Sequence, residues 1–197
     1  MNWYLAELPL IPVAEIPTDH RSLGGIWIGY AALAQMSRDS WHEVNGDDDE
    51  AMTAKDMIAT AHENEWQKLA TIVALSHEVA QPSKQGVLGL PLVDQETQLR
   101  PDQVLGKVLP WFSLTENTDR VELGWDLYVR PQFRRRGIGS ALLSATEDWG
   151  HQHGRTKMVA GSSHRLGSGP QALRPKAGEL AVAPDAGTAF ALVHGFQ

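Results

Sequence analysis

One stretch of the sequence constrains the fold more than any other: residues 127–150, LYVRPQFRRRGIGSALLSATEDWG. Apolar residues at its start indicate a strand, and three consecutive arginines then lead into a Gly-Ile-Gly turn. Apolar side chains recur after the turn at helical spacing, which predicts a helix over about 138–152. This series consists of Ile138, Ala141, Leu142, Ala145 and Trp149. The chain is therefore expected to contain a strand, a basic turn and a helix in immediate succession.

This succession predicts a site for an anion. The first turn of a helix has four backbone N–H groups without intrahelical partners and carries about half a positive charge. Gly137 and Gly139 let a ligand approach the backbone, the arginines add positive charge, and Ser140 adds a hydroxyl. We expect the ligand to be a phosphate group. A solvent-exposed connection rich in Arg and Gly is the alternative that these few residues leave open.

The common nucleotide-binding motifs do not fit the turn. A Walker-type site needs Gly-Lys followed by Ser or Thr, which the sequence lacks. A dinucleotide fingerprint needs Gly or Ala three residues after the second glycine, where this chain has Leu142. The remaining pattern is Arg134-x-x-Gly137-x-Gly139. It resembles the (Q/R)-x-x-G-x-(G/A) signature of the GNAT superfamily of acyl-CoA-dependent N-acetyltransferases, whose turn holds the pyrophosphate of coenzyme A.

The resemblance extends beyond the glycines. Residues 121–143 are similar to the family's central strand, turn and helix, and residues 154–159 are similar to the strand that follows. AFALVHGF at 189–196 resembles the family's late helix, and 90–94 resembles members from actinobacterial tandem proteins. The resemblance implies one GNAT-like domain over residues 1–197. Its expected class is α/β (α+β), with a central mixed, mostly antiparallel sheet flanked by helices.

The resemblance also implies that the domain apparently lacks its last C-terminal strands. Family members continue from the Gly-Phe pair into two more strands, whereas this chain ends at Gly195-Phe196-Gln197. The chain would then be the first part of a tandem protein with a second GNAT domain, a truncated product, or half of an assembly such as a homodimer. Each alternative weakens the case for independent catalysis.

The resemblance implies that acetyl-CoA is the co-substrate and that no metal takes part. Pantetheine would add beside the central strand like a short extra strand. The matching positions are Leu127, Tyr128 and Val129. The pyrophosphate would lie at the turn, where the expected binding residues are Arg134, Arg135, Arg136, Gly137, Ile138, Gly139 and Ser140.

The expected reaction is direct attack of a primary amine on the thioester, which needs a base, a donor to the carbonyl oxygen, and stabilisation of the thiolate. Glu122 lies near the family's catalytic glutamate, but a gapless count puts it one residue early, which reverses the face of a side chain in a regular strand. Asp126 would share its face, and an exposed strand-end charge is the alternative role for Glu122. The family's late-helix tyrosine is matched by Phe190 and Ala191. Tyr128 or a water would therefore act as the acid, or the thiolate leaves unaided.

The composition bears on the partners. A net charge of −7 does not suit a nucleic-acid partner, and the absence of cysteine excludes thiolate catalysis. The sequence has no HExxH motif, and its acidic run at 46–50 lacks the spacing of a calcium loop. No apolar run reaches the roughly 18 residues that span a bilayer, so we expect a cytoplasmic protein without a membrane partner. The acceptor is expected to be a small-molecule or peptide amine, bound by residues 20–60 and 164–185.

The remaining segments predict a succession of strands and helices. Residues 68–77 and 86–94 are predicted to form a β-hairpin, and 95–119 a loop with an apolar cluster at Val108, Leu109, Trp111 and Phe112. A helix over about 20–39 is weakened by Gly24, Gly25 and Gly29. The other predicted elements are strands at 3–8, 121–129 and 156–163, a turn in NGDDDE at 45–50 whose acidic residues suit the first turn of a helix through about His62, a short helix at 187–196, and a long loop at 164–185.

Overall fold

The computed structural model describes residues 2–12, 15–17, 19–45, 53–60, 67–123 and 127–159. The strands are β1 (Trp3–Glu7), β2 (Gln67–Leu69), β3 (Ile72–Ser76), β4 (Val104–Val108), β5 (Trp111–Ser113), β6 (Arg120–Glu122), β7 (Tyr128–Val129) and β8 (Lys157–Val159). The helices are α1 (Gly25–Asn45), α2 (Ala54–Thr60) and α3 (Ile138–Gln152), with short 3-10 helices at His20–Leu23, Pro101–Gln103 and Pro131–Phe133. Residues 160–197, which include the predicted late helix and long loop, lie outside the described part.

The strands form two four-stranded sheets, in the orders β1-β3-β4-β7 and β2-β5-β6-β8. The two sheets are joined in sequence, because β2 leads into β3 and β4 leads into β5 after two residues each. All of the ladders are antiparallel except the one between β6 and β8, which is parallel. The expected mixed, mostly antiparallel sheet with flanking helices is therefore confirmed.

The predicted strand at 121–129 divides between the two sheets. Its first part, β6, pairs with β8 through partners such as Glu122 and Val159. Its second part, β7, pairs with β4 and lies at the edge of its sheet among the described residues. The strands on either side of residues 124–126, which lie outside the described part, therefore belong to different sheets, and one edge of β7 has no partner strand among the described residues.

Helices cover both faces of the sheet β1-β3-β4-β7. On one face, α1 and α2 bury Leu33, Met36 and Ile58 against side chains such as Val73. On the other face, α3 buries a second apolar layer, which includes Ile72, Leu105, Ile138, Leu142 and Leu143. Each fully buried side chain of this size contributes about 1.5–3 kcal/mol. Strand β3, which lies between the two layers, is therefore packed against apolar side chains on both of its faces.

The predicted hairpin of 68–77 with 86–94 is wrong. Segment 86–94 instead runs beside β1, where the Glu7 amide donates to the Pro91 carbonyl at 2.8 Å and the Val93 amide donates to the Glu7 carbonyl at 2.9 Å. The reason lies in strand β3, whose two edges are already taken by β1 and β4. No edge of β3 remains for a second strand from the 86–94 segment.

The predicted loop at 95–119 is also wrong, because it contains β4 and β5. Every residue of β4 is buried, so its sequence, Val-Leu-Gly-Lys-Val, lacks the alternation of a half-exposed strand. Lys107 in its middle is 1% exposed and donates to the Ser37 hydroxyl of α1 at 2.6 Å. Because Lys107 interrupts the apolar run of β4, the hydrophobic pattern of the sequence does not predict a buried strand there.

The glycines that weakened the first predicted helix have a packing role. A β-carbon on Gly24 or Gly25 would overlap the carbonyl oxygens of Gln95 and Thr97, and Gly24 has a positive φ of 50°. The start of α1 therefore packs directly on the backbone of the 94–97 loop. The helix begins later and extends further than the predicted 20–39.

Candidate cofactor and active site

The basic turn between β7 and α3 has a left-handed backbone at two positions. Arg135 has a φ of 62°, and Gly137, the residue just before α3, has a φ of 79°. L-residues rarely adopt such angles, so glycine is the residue best suited to position 137. The Ala141 amide donates to the Gly137 carbonyl at 3.0 Å, which fixes the beginning of the helix. The predicted helix at 138–152 is confirmed at both ends.

The turn presents a row of backbone donors. Within the described part of the chain, no hydrogen bond is made by the backbone N–H groups of Arg135, Arg136, Gly137, Ile138 and Gly139. Ser140, in contrast, has an interaction partner within the chain. The side chains of Arg135 and Arg136 are exposed, and the Arg136 guanidinium lies 5.5 Å from the centroid of the Phe133 ring. Donors and positive charge therefore converge where the sequence predicts an anion.

The space beside the turn is open. The nearest atom to a β-carbon built on Gly137 is Cζ2 of Trp3, at 4.0 Å. Gly137 itself is exposed. Among the described residues, a ligand can therefore approach Gly137 without meeting a side chain nearer than Trp3.

Arg134 has a different environment from its two neighbours. Its Nε donates to the Val129 carbonyl at 3.0 Å, and its two terminal nitrogens donate to the two carboxylate oxygens of Glu43 at 2.9 and 2.7 Å. The guanidinium also lies 5.6 Å from the centroid of the Tyr128 ring. The signature arginine therefore joins the turn to β7 and to α1.

The three residues expected along pantetheine lie on both faces of the sheet. Leu127 and Val129 pack towards the α3 layer, whereas Tyr128 is buried in the α1 layer. Burial raises the pKa of the Tyr128 phenol, and the nearby carboxylates of Glu43 and Asp39 raise it further. The phenol therefore keeps its proton at neutral pH.

Glu122 is buried, with 3% of its surface exposed, so the alternative of an exposed strand-end charge is wrong. The Arg120 Nε donates to its Oε1 at 3.1 Å. Its neighbour Val121 packs against Trp149 of α3, so alternation along β6 directs the Glu122 side chain away from α3. Tyr128 lies on β7 in the other sheet, and Asp126 falls outside the described residues.

Sequence reasoning missed three charged residues around this site. Asp39 and Glu43 on α1 face Arg130 and Arg134, with an Arg130–Asp39 distance of 3.8 Å. The two acids are four residues apart in the sequence, and so are the two arginines. On a helix such as α1, this spacing places the acids on one face. This spacing is the signal that the sequence offered.

Two further properties of the described residues bear on function. They contain no group of three or more His, Asp or Glu side chains arranged to hold a metal ion. Among the helices in these ranges, none is both long and apolar enough to cross a bilayer.

Residues 98–167 match the model of the acetyltransferase (GNAT) family. The resemblance to the GNAT superfamily is confirmed. The matched segment includes β4 to β8, the basic turn and α3, which carry the site described above. No curated protein matches the chain.

Solved structures show the GNAT fold. A tandem GNAT protein from the clavulanic acid biosynthesis pathway has a TM-score of 0.55 and 20% identity, over 98% of this chain and 43% of that chain. This chain therefore spans less than half of the tandem protein's length. Aminoglycoside acetyltransferase meta-AAC0020, from an uncultured soil metagenomic sample and in complex with sisomicin, has a TM-score of 0.46 and 12% identity, over 82% of this chain and 78% of that chain. AAC(6′)-Iy in complex with a bisubstrate analogue has a TM-score of 0.46 and 15% identity, over 85% and 84%.

Proposed function

We propose that the chain is an N-acetyltransferase that transfers acetyl from acetyl-CoA to a primary amine by direct attack in a ternary complex. The observation that carries the proposal is the turn before α3, with its left-handed Gly137 and its row of N–H groups that have no partner among the described residues. A pyrophosphate carries the negative charge that such a helix start stabilises. The acceptor would be a small-molecule or peptide amine.

The position of β7 supports the path proposed for pantetheine. Its edge away from β4 has no partner strand among the described residues, and the chain leads from β7 directly through Pro131–Phe133 into the turn. An extended ligand can pair with such an edge as an added strand. The thioester would then lie in the opening between β7 and β8, with the pyrophosphate at residues 135–140.

The proposed reaction uses two groups, Glu122 on β6 and Tyr128 on β7. The amine nitrogen bonds to the thioester carbon, the C–S bond breaks, and coenzyme A leaves as a thiolate. Glu122 is the carboxylate available to take the amine proton through a water. Tyr128 is the acid that donates a proton to the thiolate, and its raised pKa keeps that proton in place until the thiolate forms.

Calorimetric titration with acetyl-CoA, and separately with coenzyme A, tests the cofactor site. We expect about micromolar binding, and we expect Gly137→Glu to weaken it at least about 100-fold, because the new side chain fills the open space and opposes the phosphate charge. Unchanged affinity in this variant would refute the assignment.

The chain offers a matched control for this test. Gly154 follows α3, has a φ of 73° and has no atom within 4 Å of a β-carbon built on it. Gly154→Glu imposes the same backbone strain and charge at the other end of α3. It should bind acetyl-CoA like the wild type, and an equal loss would show that the effect of Gly137→Glu is not local.

A second candidate function is a non-catalytic acyl-CoA-binding module that acts with a partner, such as a second GNAT domain or a second copy. The ion pair between the buried Glu122 and the partly exposed Arg120 favours it, because the carboxylate already accepts a charge-assisted hydrogen bond from a protein group. The tandem organisation of a protein with the same fold is consistent with it. A panel of primary amines distinguishes the two functions, since a module binds acetyl-CoA without releasing coenzyme A.

A further inference from the structure

Two acids of α1 face two arginines that flank the 3-10 turn after β7. Asp39 lies 3.8 Å from Arg130, and Glu43 forms the bidentate pair with Arg134. Each arginine also holds the backbone. Arg130 donates to the Val104 carbonyl at 2.8 Å and to the Pro101 carbonyl at 3.1 Å, and Arg134 donates to the Val129 carbonyl. We name these four side chains the α1 clasp.

The clasp determines what remains for a phosphate to bind. Each of the three guanidinium nitrogens of Arg134 already donates to a protein oxygen. Arg135 and Arg136 are exposed, and neither has an ion-pair partner among the described residues. Of the three consecutive arginines, only Arg134 directs guanidinium donors to protein oxygens among the described residues, whereas the side chains of Arg135 and Arg136 are exposed.

The clasp also fixes the place of the turn relative to α1. Arg134 connects two parts of the chain. It donates to the carbonyl of Val129 at the end of β7, and it pairs with Glu43 on α1, which packs on the opposite face of the sheet from α3. A bidentate pair restricts orientation as well as distance. Displacement of aligned donors by about 1 Å is enough to lose much of their effect on a ligand.

We propose that Glu43 is a positioning residue for the cofactor turn, and that it acts through Arg134. Arg134 is itself a positioning residue, while Arg135 and Arg136 supply the positive charge that faces the pyrophosphate. The inference rests on the proposed function, and it deepens that function by dividing the roles of the three arginines. It also links α1, which borders the expected acceptor site, to the part of the chain that would hold the cofactor.

The sign of one affinity change distinguishes this proposal from direct phosphate binding by Arg134. Glu43→Gln removes a negative charge near the turn, which by electrostatics alone strengthens binding of the polyanionic cofactor. If Arg134 is a phosphate ligand, the substitution also frees it, and acetyl-CoA binds more tightly. If Glu43 positions the turn, affinity falls despite the added positive charge, and we expect a loss of about tenfold, the factor that corresponds to ~1.4 kcal/mol.

The experiment titrates acetyl-CoA into wild type, Glu43→Gln and the control Glu147→Gln, which makes the same chemical change on the exposed side of α3. A fall in affinity for Glu43→Gln alone supports the proposal, and unchanged or tighter binding overturns it. Arg135→Ala and Arg136→Ala should each weaken binding and reduce its salt dependence, whereas Glu43→Gln should weaken binding without reducing the salt dependence. Reduced salt dependence in Glu43→Gln would contradict the division of roles.

Hydrogen exchange of the ligand-free protein provides a second measurement. Two amides of the clasped segment donate within it, Phe133 to Arg130 and Arg134 to Pro131. Glu43→Gln should speed their exchange while the amides of β3 stay as protected as in the wild type, and unaltered exchange would overturn the positioning role. Failure of the wild type to bind acetyl-CoA or coenzyme A would refute the proposed function and this inference together. Normal binding by the wild type with no loss of affinity in Glu43→Gln would refute this inference alone.

Discussion

Adjacent residues of the basic turn have different roles because the backbone directs their side chains differently. Arg134 lies beside Tyr128 and Glu43, whereas Arg135 has a left-handed φ of 62° and an exposed side chain. The sequence shows three equivalent arginines. The difference coincides with a change of backbone conformation, from a φ of −61° at Arg134 to a φ of 62° at Arg135.

Glu7 shows a similar dependence on its surroundings. Its carboxylate is 7% exposed at the end of β1 and accepts the Leu88 amide at 3.1 Å. A β-carbon on Gly86 would overlap this carboxylate, so glycine permits the close approach. Burial raises the pKa of Glu7, although the amides of Leu88 and Val87 partly oppose the rise.

The raised pKa of Glu7 predicts a pH dependence of stability. The folded state binds its proton more tightly than the unfolded chain, so the contribution to stability is complete below the usual carboxyl pKa of 4.5 and is lost as the pH rises through the folded pKa. Glu7→Gln should remove this decline. Urea unfolding between about pH 4 and about pH 8 measures it, and Glu147→Gln should keep the wild-type slope. An equal decline in Glu7→Gln would assign the slope to other groups.

At the scale of elements, α3 packs closely on β6. A β-carbon on Gly150 would lie 2.7 Å from Cγ2 of Val121, whereas Ser144 faces solvent on the same helix. The helix therefore approaches β6 at a distance that only glycine allows. Because α3 also begins at the cofactor turn, its distance from the sheet sets the position of the turn.

Gly150→Ala should destabilise the protein by about 1–3 kcal/mol, because overpacking exceeds the helix propensity of about 1 kcal/mol that Ala gains over Gly. Chemical denaturation measures the change. Ser144→Ala, a replacement by Ala on the exposed face, should be neutral or stabilise by a few tenths of a kcal/mol. A stabilised Gly150→Ala variant would mean that the helix moves away from Val121 without cost.

At the scale of the whole molecule, two apolar layers share one set of strands. The α1 layer contains Leu33 and Val73, and the α3 layer contains Ile72 and Leu142, so neighbouring residues of β3 belong to opposite layers. Neither layer exists without the strands between them. We therefore expect the layers to unfold together.

Leu33→Ala and Leu142→Ala test this expectation, since both side chains are fully buried. Each should lower the free energy of unfolding by about 2–5 kcal/mol. Far-ultraviolet circular dichroism and tryptophan fluorescence should give coincident transitions in both variants. Leu114→Ala, at a side chain that is 40% exposed, is the control with little expected effect. Separate transitions would show that the two faces unfold independently.

The predicted elements differ in how far local sequence determines them. The strand at 3–8 and the helix at 138–152 are confirmed because their signals are contained in their own residues. The 86–94 segment and the β4–β5 region were assigned wrongly because their structure depends on distant partners. Near the site, Glu122 was placed on the correct strand, but its burial and its pairing with Arg120 follow from packing.

The sequence alone determined the strand, basic turn and helix at 127–150 and, through the signature within it, the resemblance to the GNAT superfamily. These features are local, since a helix start and a glycine turn depend on residues within a few positions of one another. Only the tertiary structure decided the pairing of the 86–94 segment with β1 and of Arg134 with Glu43. Those contacts join residues 91 positions apart in the second case, and no local pattern specifies which distant group a side chain will meet.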